Sequence, residues 1–358
     1  MESSPSISIF RRRLQKFRRI KRGYYSFVIL VVAYAVSFLL PVLINDKALV
    51  VKYQGSYYFP IAKFHSVSEF GQPGFGEPSY REMKRMFQAE GAGNWVLMPP
   101  YPSGPMEFHF ELPGSPPHAP SAEHIMGTDD KTRDVFARLA YGFNVSLTFA
   151  LLVLILGEGF GIVIGALLGY YGGKIDIFGL RLIEIWSSLP FLYTIIIVSS
   201  IIVPISHPGN VLRQPSFWLL VGILVLFNWM GITYYVRGEF YREKSKDYVG
   251  AAIAMGVSER SIILRHILPN SLTPVISFAP FTIVANIGSL VALDFLGFGL
   301  PAPTPSWGEL VGQGMENLTK WWLVFFPLGA LFTTLLLVVF IGEAVREAFD
   351  PKEYSRLR

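Results

Sequence analysis

The sequence predicts an all-α membrane protein with six transmembrane helices and a small extracytoplasmic insertion of strands and loops between helices 1 and 2. Of its 358 residues, 51% are hydrophobic and only 16% are charged, and the mean hydropathy is +0.41. A soluble protein of this size needs a larger charged surface, so the composition argues against a soluble enzyme or a disordered scaffold. Six long apolar stretches predict the six transmembrane helices, and a proline-rich stretch between the first two predicts the insertion.

Charge and cysteine content narrow the chemistry further. Lys and Arg outnumber Asp and Glu by 31 to 26, which gives a net charge of +5. On a membrane protein such basic residues mark cytoplasmic segments, and no basic-aromatic patch indicates nucleic acid as a partner. The sequence has no cysteine, which excludes disulfides, thiolate metal sites and a cysteine nucleophile.

Transmembrane helices are predicted where about 20 consecutive residues carry almost no charge. The six stretches are 23–45, 143–170, 183–203, 214–236, 267–293 and 321–342. Glu158 is the one charge in the second stretch. The fifth stretch contains Pro269, Pro274 and Pro280, so we expect it to be bent, with neighbouring helices satisfying the freed carbonyl groups.

The orientation follows from a basic run that precedes the first stretch. Eight basic residues lie between Arg11 and Arg22, and no acidic residue interrupts this run. Residues 1–22 are therefore predicted to form a cytoplasmic basic N-terminus. An even number of spans returns the tail, 346–358, to the same side, and the basic segment 237–269 also falls inside. A cleaved signal peptide would have a shorter apolar core, so we interpret residues 23–45 as an uncleaved anchor.

The segment 46–142 differs in composition from the rest, because it holds 11 of the 25 prolines and many spaced aromatic residues. We expect an extracytoplasmic insertion with a hairpin over residues 49–59, and a strand from Met106 to Leu112 where apolar and polar residues alternate. An amphipathic helix capped by Thr128 and ended by Gly142 should close it. The five remaining spans form a core over residues 143–345.

Histidines and aspartates in this insertion raise the alternative of a metal site. The residues concerned are His109, His118, His124, Asp129 and Asp130. Their spacing fits no known ligand pattern. We therefore expect no metal and assign the two aspartates to the first turn of a helix, where the dipole favours negative charge.

The segment 237–269 is the most informative part of the sequence, because it is polar and patterned as two short helices joined by Gly256. Glycine suits the left-handed position that ends a helix, and Ser258 is a good N-cap for the next one. Pro269 should limit that helix at Leu268. A membrane protein that displays a short amphipathic helix to the cytosol offers a docking element. The alternative is an ordinary connecting loop.

The residues Ala251-Ala252, Gly256 and Leu268-Pro269 have the spacing of a known cytoplasmic motif, although Gly250 and His266 depart from it. On these residues the chain resembles the permease subunits of ATP-binding-cassette (ABC) importers. The run 265–270 is similar to the oligopeptide/dipeptide branch, and 127–147, 169–176, 293–299 and 343–351 add matches. The layout of the whole chain is most similar to permeases of microcin C/peptide importers.

The resemblance implies a type I ABC importer permease in a bacterial inner membrane, with both termini cytoplasmic. It implies transport of oligopeptides or a peptide antibiotic such as microcin C, with no cofactor and no catalytic residue on this chain, which lacks a Walker loop. The implied partners are a second homologous permease, two cytoplasmic ABC ATPase domains, an extracytoplasmic solute-binding protein, the peptide and the lipid bilayer. The implied coupling residues are Ala251, Ala252, Gly256, Ser258, Glu259, Arg260, Arg265, His266, Leu268 and Pro269.

Two other function classes compete with this interpretation. A proton-coupled peptide carrier would need inverted repeats and several intramembrane carboxylates, whereas Glu158 stands alone in its span. A membrane hydrolase would need a nucleophile and a base at membrane depth, and the histidines lie outside the spans or at their ends. Glu158 could serve transport, or it could be a protonated or locally paired group at the seam between two permeases. Asp294 is a second candidate for a functional or structural role, and we expect it at an exit from the membrane.

Pairs and repeats on the predicted helices complete the expectations. Arg181 and Glu184 are three residues apart and should pair. Glycines at 157, 161, 165 and 169 form a small-residue stripe, which is more typical of a close helix contact than of a substrate surface.

Overall fold

Helices dominate the chain. The computed structural model describes residues 9–91, 93–201 and 215–349. In chain order its helices are α1 (Ile9–Arg19), α2 (Lys21–Ser37), α3 (Leu40–Leu43), α4 (Tyr80–Glu90), α5 (Val135–Tyr171), α6 (Gly173–Ser187), α7 (Phe191–Ile201), α8 (Pro215–Lys244), α9 (Asp247–Ala254), α10 (Glu259–Ser261), α11 (Leu268–Ser271), α12 (Thr273–Phe295), α13 (Trp307–Glu316) and α14 (Trp321–Phe349).

Four of these helices, α5, α8, α12 and α14, are long and apolar enough to cross a membrane. Two further pairs pass the same test only when each pair is taken together. The pair α1 and α2 is bent by 97°, and the pair α6 and α7 by 69°. The described part of the chain therefore holds four spans, or six if each bent pair counts as one.

The spans differ in detail from the predicted boundaries. The first span ends at Ser37, because Pro41 starts the separate short helix α3. The third begins ten residues earlier than expected and breaks near Pro190, which cannot donate a backbone hydrogen bond. The last span runs on to Phe349. Residues 1–8 of the predicted N-terminal segment and 350–358 of the predicted tail lie outside the described residues.

The chain divides into two compact units. One contains Met1–Val31, Leu147–Pro301 and Phe332–Arg358, and the other contains Val32–Ser146 and Ala302–Leu331. A core of the first unit joins the cytoplasmic ends predicted for α5 and α8 to the short helices that follow α8. Its buried members are Ala166, Tyr170, Ile232, Val236, Phe240, Val249, Ala252, Ile262, Ile267 and Val275.

The second unit carries a three-stranded antiparallel sheet in the order β2-β1-β3, formed by β1 (Val50–Tyr53), β2 (Ser56–Tyr58) and β3 (Trp95–Leu97). The predicted hairpin over 49–59 is confirmed. Gln54 and Gly55 make its turn with φ values of 47° and 83°, the left-handed backbone that tight hairpins require. Helix α4, which the prediction missed, covers one face of the sheet with Met83 and Phe87.

The predicted strand from Met106 to Leu112 is wrong. The segment is irregular, and its apolar side is the exposed one, since Phe110 is 79% exposed while His109 is fully buried. The His109 N–H donates to Thr132 Oγ1 at 3.0 Å rather than to a neighbouring strand. The alternation of apolar and polar residues predicted a strand, but no strand of the described structure pairs with this segment.

The predicted helix between Thr128 and Gly142 is present only from Val135 onward, and both predicted ends are wrong. Helix α5 begins at Val135, capped by Asp134, whose carboxylate accepts the Ala137 N–H at 2.8 Å. Asp129 instead accepts the Arg133 N–H at 2.8 Å and shapes the preceding turn. Gly142 lies within α5, where the lack of a side chain lets Trp307 pack: a Cβ there would lie 2.7 Å from its ring.

Candidate functional site

The segment 237–269 forms a helical unit attached to the end of α8. Helix α8 continues to Lys244, α9 follows, and a second helical stretch from Glu259 to Ser271 leads to α12. Ala252 of α9 and Ile262 and Ile267 of the second stretch are buried in the same core as Phe240 of α8. This shared core packs both short helices against the end of α8.

Gly256 makes the turn between the two short helices. Its φ is +76°, so the predicted left-handed conformation is confirmed. The Val257 N–H donates to Ala252 O at 3.1 Å, and the Gly256 N–H donates to Ile253 O at 2.9 Å. This is the Schellman pattern of helix ends, in which glycine avoids the strain that a side chain would meet.

The second stretch is longer than predicted. Ser258 has the extended backbone of an N-cap, although its side chain makes no capping bond. Residues 262–267 form a π-helical turn, in which the Leu268 N–H bonds to Ile263 O, and α11 then carries the helix to Ser271. The wider π turn makes room for the ring of Pro269, which would clash with a carbonyl in a regular α-helix. The expected end at Leu268 is therefore wrong.

The structure exposes most of the predicted coupling residues. The apolar side of the stretch turns inward at Ile262 and Ile267, as the sequence indicated. Ala252 is buried against it, and His266 and Leu268 are half-buried. The exposed members are Ala251, Gly256, Ser258, Glu259, Arg260, Arg265 and Pro269.

Polar contacts that sequence reasoning missed hold the two short helices together. The Tyr248 hydroxyl donates to Glu243 at 2.8 Å, and Lys246 also binds Glu243 at 2.6 Å. Asn270 donates to the Tyr248 hydroxyl at 3.3 Å and to His266 O at 3.2 Å. Of these contacts, only the Glu243–Lys246 pair could have been predicted from the sequence, because the two residues are three positions apart.

A second missed cluster joins α6 to α8. Asp176, in the first turn of α6, accepts two hydrogen bonds from the Arg237 guanidinium, one of them Nη2 to Oδ2 at 2.5 Å. The Tyr241 hydroxyl donates to the same carboxylate at 2.8 Å. The partners are 61 residues or more apart, which is why no local pattern predicted them. The predicted pair of Arg181 and Glu184 is confirmed, at 2.6 Å on the exposed side of α6.

The glycine stripe of α5 is a close helix contact, as predicted. A Cβ at Gly165 would lie 2.7 Å from Thr233 O, and one at Gly169 would lie 2.7 Å from Arg237 O, both on α8. The Thr233 hydroxyl donates to Gly161 O at 3.2 Å across the same seam. The backbones of α5 and α8 are thus in direct contact over three helical turns.

Glu158 lies inside the first unit and is only 7% exposed. Its Oε1 accepts a hydrogen bond from the Thr282 hydroxyl of α12 at 3.1 Å. Within the described part of the chain no Lys or Arg forms an ion pair with it. Nearby, Asn228 donates to Asn286 at 2.6 Å, so α5, α8 and α12 share a polar seam that the sequence did not reveal.

We expect Glu158→Gln to lower uptake while the amount of assembled complex stays unchanged. The amide fills the same space and keeps an acceptor for Thr282, but it cannot take up or release a proton. Uptake by reconstituted complex, normalised to complex recovered by size-exclusion chromatography, measures this. Thr282→Val is the control for loss of the hydrogen bond alone. A parallel fall in assembly and uptake would assign the carboxylate a structural role.

Asp294, the other charged candidate, lies in the last turn of α12. Its carboxylate accepts the Leu300 N–H at 2.7 Å and lies where a side chain at Gly299 would have to go. This contact helps to organise the loop from Leu296 to Leu300.

Two histidines of the insertion, His109 and His124, are buried side by side, whereas His118 and Asp130 are half-buried. His124 Nδ1 lies 2.7 Å from Asp134 Oδ2, which also accepts from the Tyr101 hydroxyl at 2.7 Å. The His109 ring contacts the His124 ring at 4.4 Å between centroids. Among the described residues, no group of three or more such side chains could hold a metal ion.

An ion network that the sequence did not reveal joins the start of α5 to α13. Glu309 accepts hydrogen bonds from Arg133 at 2.8 Å and from Arg138. Burial alone would raise the pKa of Glu309, but the Arg138 and Arg133 guanidinium groups outweigh it and lower that pKa below its usual range. Both arginines are buried, while the Glu309 side chain keeps 24% of its surface exposed.

Apolar helices long enough to cross a membrane, with a polar helical pair exposed at the end of α8, are the features expected of a membrane permease subunit. The chain belongs to the family described as the binding-protein-dependent transport system inner membrane component, whose family model matches residues 161–353.

Three relatives are similar over 66% or more of the chain. The inner membrane ABC transporter permease protein YejE of Escherichia coli strain K12 is 43% identical over 341 residues, 95% of this chain and 96% of that protein. The peptidoglycan transport system permease protein YejE of Agrobacterium fabrum is 35% identical, with 97% and 94% covered. The oligopeptide transport system permease protein OppC of Haemophilus influenzae is 36% identical, with 66% and 73% covered.

The predicted membership in the ABC permease family and the predicted fold class are thereby confirmed. The chain is an inner-membrane permease subunit that works with an ATPase and a substrate-binding protein, and ATP hydrolysis takes place on the ATPase. Family membership favours this interpretation over a proton-coupled carrier.

Proposed function

We propose that this permease forms part of the translocation path of an ATP-driven peptide importer, for oligopeptides or a peptide antibiotic such as microcin C. Names of the similar proteins refer to oligopeptide and peptidoglycan transport, which supports a cargo built from peptide units. A second homologous permease completes the pore, two ATPase domains bind from the cytoplasm, and a solute-binding protein delivers the cargo from outside. The protein resides in a bacterial inner membrane with both termini cytoplasmic.

The ATPase docks on the surface around Gly256 in this proposal. The observation that carries it is a set of apolar side chains displayed beside charged ones: Met255 is 75% exposed and Leu264 is 60% exposed, next to exposed Glu259 and Arg260. Exposed apolar side chains on a rigid element are typical anchors of a protein interface, with surrounding charges setting specificity. The other side of the same helices is buried, so displacement of the surface displaces α8.

Movement would pass from the docking surface to the spans through packed contacts. The shared core ties α9 and the second helical stretch to α8, the glycine seam ties α8 to α5, and the Asp176–Arg237 pair ties it to α6. Closure of the ATPases would then move these helices together, as a rigid-body alternation between inward and outward access.

The proposed function is tested by reconstituting the complete complex in liposomes. Peptide uptake that requires both ATP and the solute-binding protein is expected, together with peptide-stimulated ATP hydrolysis. Uptake driven by a proton gradient without ATP would contradict the proposal. Tagged chain should also co-purify an ATPase, which a secondary carrier has no reason to do.

We expect opposite labelling of cysteines placed at the two predicted faces. Phe75 is fully exposed in the insertion, and Ser245 is exposed between α8 and α9. Because the protein has no native cysteine, Phe75→Cys should react with an impermeant thiol reagent added outside intact spheroplasts, and Ser245→Cys only after the membrane is opened. Reversed labelling would place the docking surface on the wrong side for an ATPase.

A further inference from the structure

Helix α1 departs sharply from the span that follows it. It meets α2 at 97°, so if α2 crosses the bilayer, α1 runs along the membrane surface. Phe17 is buried against Ala344 and Ala348 near the end of α14, which fixes α1 beside a second span. The position is therefore built into the fold.

The surface of α1 is divided by helical periodicity. Phe17 and Ile20 lie on the side packed against α14, and Leu14 continues this apolar side but is 42% exposed. The basic residues Arg11, Arg12, Arg18 and Arg19 project from the opposite arc and are exposed. Such a helix, apolar on one side and basic on the other, is suited to lie in a membrane interface.

Few acidic groups neutralise the basic residues of α1 and of the first turn of α2. Arg22 pairs with Glu343 at 3.1 Å on the surface. Arg12, Arg18, Arg19 and Lys21 form no ion pair with an acidic side chain in the described part of the chain. The orientation of a span in the membrane requires only an excess of basic residues beside it. Four basic side chains without an acidic partner therefore indicate a ligand of opposite charge.

We propose that α1 is a docking surface for anionic phospholipids of the cytoplasmic leaflet, whose phosphate groups bind Arg12, Arg18 and Arg19. The inference rests on the cytoplasmic N-terminus of the proposed function. Charge complementarity supports it, because a leaflet that contains anionic lipid attracts clustered basic residues at its surface. An arginine guanidinium group can also donate two parallel hydrogen bonds to one phosphate group. Exposed Leu14 enters the acyl region beside the headgroups.

The test compares lipid binding by two triple variants of the complete complex. Arg12→Gln/Arg18→Gln/Arg19→Gln removes three charges from α1. Lys63→Gln/Lys84→Gln/Arg85→Gln removes three charges from the insertion as the matched control. Each complex is placed in nanodiscs of mixed phosphatidylglycerol and phosphatidylcholine, and the preference for spin-labelled phosphatidylglycerol over phosphatidylcholine is measured by electron paramagnetic resonance.

The α1 variant is expected to lose the preference for phosphatidylglycerol by up to about fivefold per charge removed, while the control keeps it. Both should retain peptide-stimulated hydrolysis in detergent, which separates this inference from the proposed function. An unchanged lipid preference in the α1 variant would overturn the proposal. So would loss of bound ATPase from that variant in detergent free of anionic lipid, because the basic arc would then bind a protein.

Discussion

Gly256→Val is expected to abolish peptide uptake while the chain still inserts into the membrane. Gly256 has φ +76°, a region that costs an L-residue about 1–2 kcal/mol and is worst for β-branched side chains. A Cβ there meets no described atom within 4 Å, so the effect comes from backbone conformation and not from a clash. The backbone of the turn would have to change, and the helix that begins at Glu259 would then have the wrong orientation for binding the ATPase.

The matched controls lie on the same segment. Gly250→Ala changes an exposed glycine within α9 that has no positive φ, and it should leave hydrolysis and uptake unchanged. Gly256→Asn should retain much of the activity, because asparagine tolerates the left-handed region. Purified complexes are compared for ATPase stoichiometry and peptide-stimulated hydrolysis. If Gly256→Val and Gly250→Ala behave alike, the turn has no role in coupling.

Charge reversal on the same surface separates docking from folding. Glu259→Lys and Arg260→Glu alter exposed side chains that make no described ion pair, so the permease should keep its thermal stability. Their expected effect is weaker ATPase retention and a matching loss of uptake. Full retention of the ATPase, with normal peptide-stimulated hydrolysis, would mean that the segment 237–269 is only a connecting loop.

Local chemistry made the helical elements and the Gly256 turn predictable from sequence. Gly256 follows a helical run that ends in small residues and precedes an N-cap serine, so its left-handed conformation could be predicted without any tertiary contact. The hairpin at Gln54 and Gly55 was predictable for the same reason. Family motifs then placed the docking residues, although their role in coupling remains a proposal.

Tertiary contacts explain the features that were missed. Thr128 resembled a helix cap, yet Asp134 caps α5 because Asp129 is held by Arg133 in the preceding turn. Pro269 resembled a helix end, yet a π turn accommodates its ring. The Arg138–Glu309 pair joins residues 171 positions apart, and such pairs follow from the packing of distant helices, which no local pattern encodes.

Gly165→Val is expected to destabilise the permease itself and to remove most of the folded chain from the membrane. The added Cβ would lie 2.7 Å from Thr233 O, 2.9 Å from Val236 Cβ and 3.2 Å from Arg237 N. Two of these atoms belong to the backbone of α8 and cannot turn away, so α5 and α8 must separate. Overpacking of this kind costs about 1–3 kcal/mol even where side chains can adjust, and the loss of interhelical contact adds to it.

Gly159→Val is the matched control, because it adds the same side chain to the same helix. Gly159 is exposed, and a Cβ there would meet no described atom within 4 Å. Thermal stability of the isolated chain in detergent, followed by fluorescence-detected size-exclusion chromatography, should fall for Gly165→Val and stay unchanged for Gly159→Val. Isolated chain is used because Gly159 could contact a second permease in the complex. Equal stability of the two variants would mean that the α5–α8 seam is looser than direct backbone contact, and the proposed route from docking surface to α5 would lose its support.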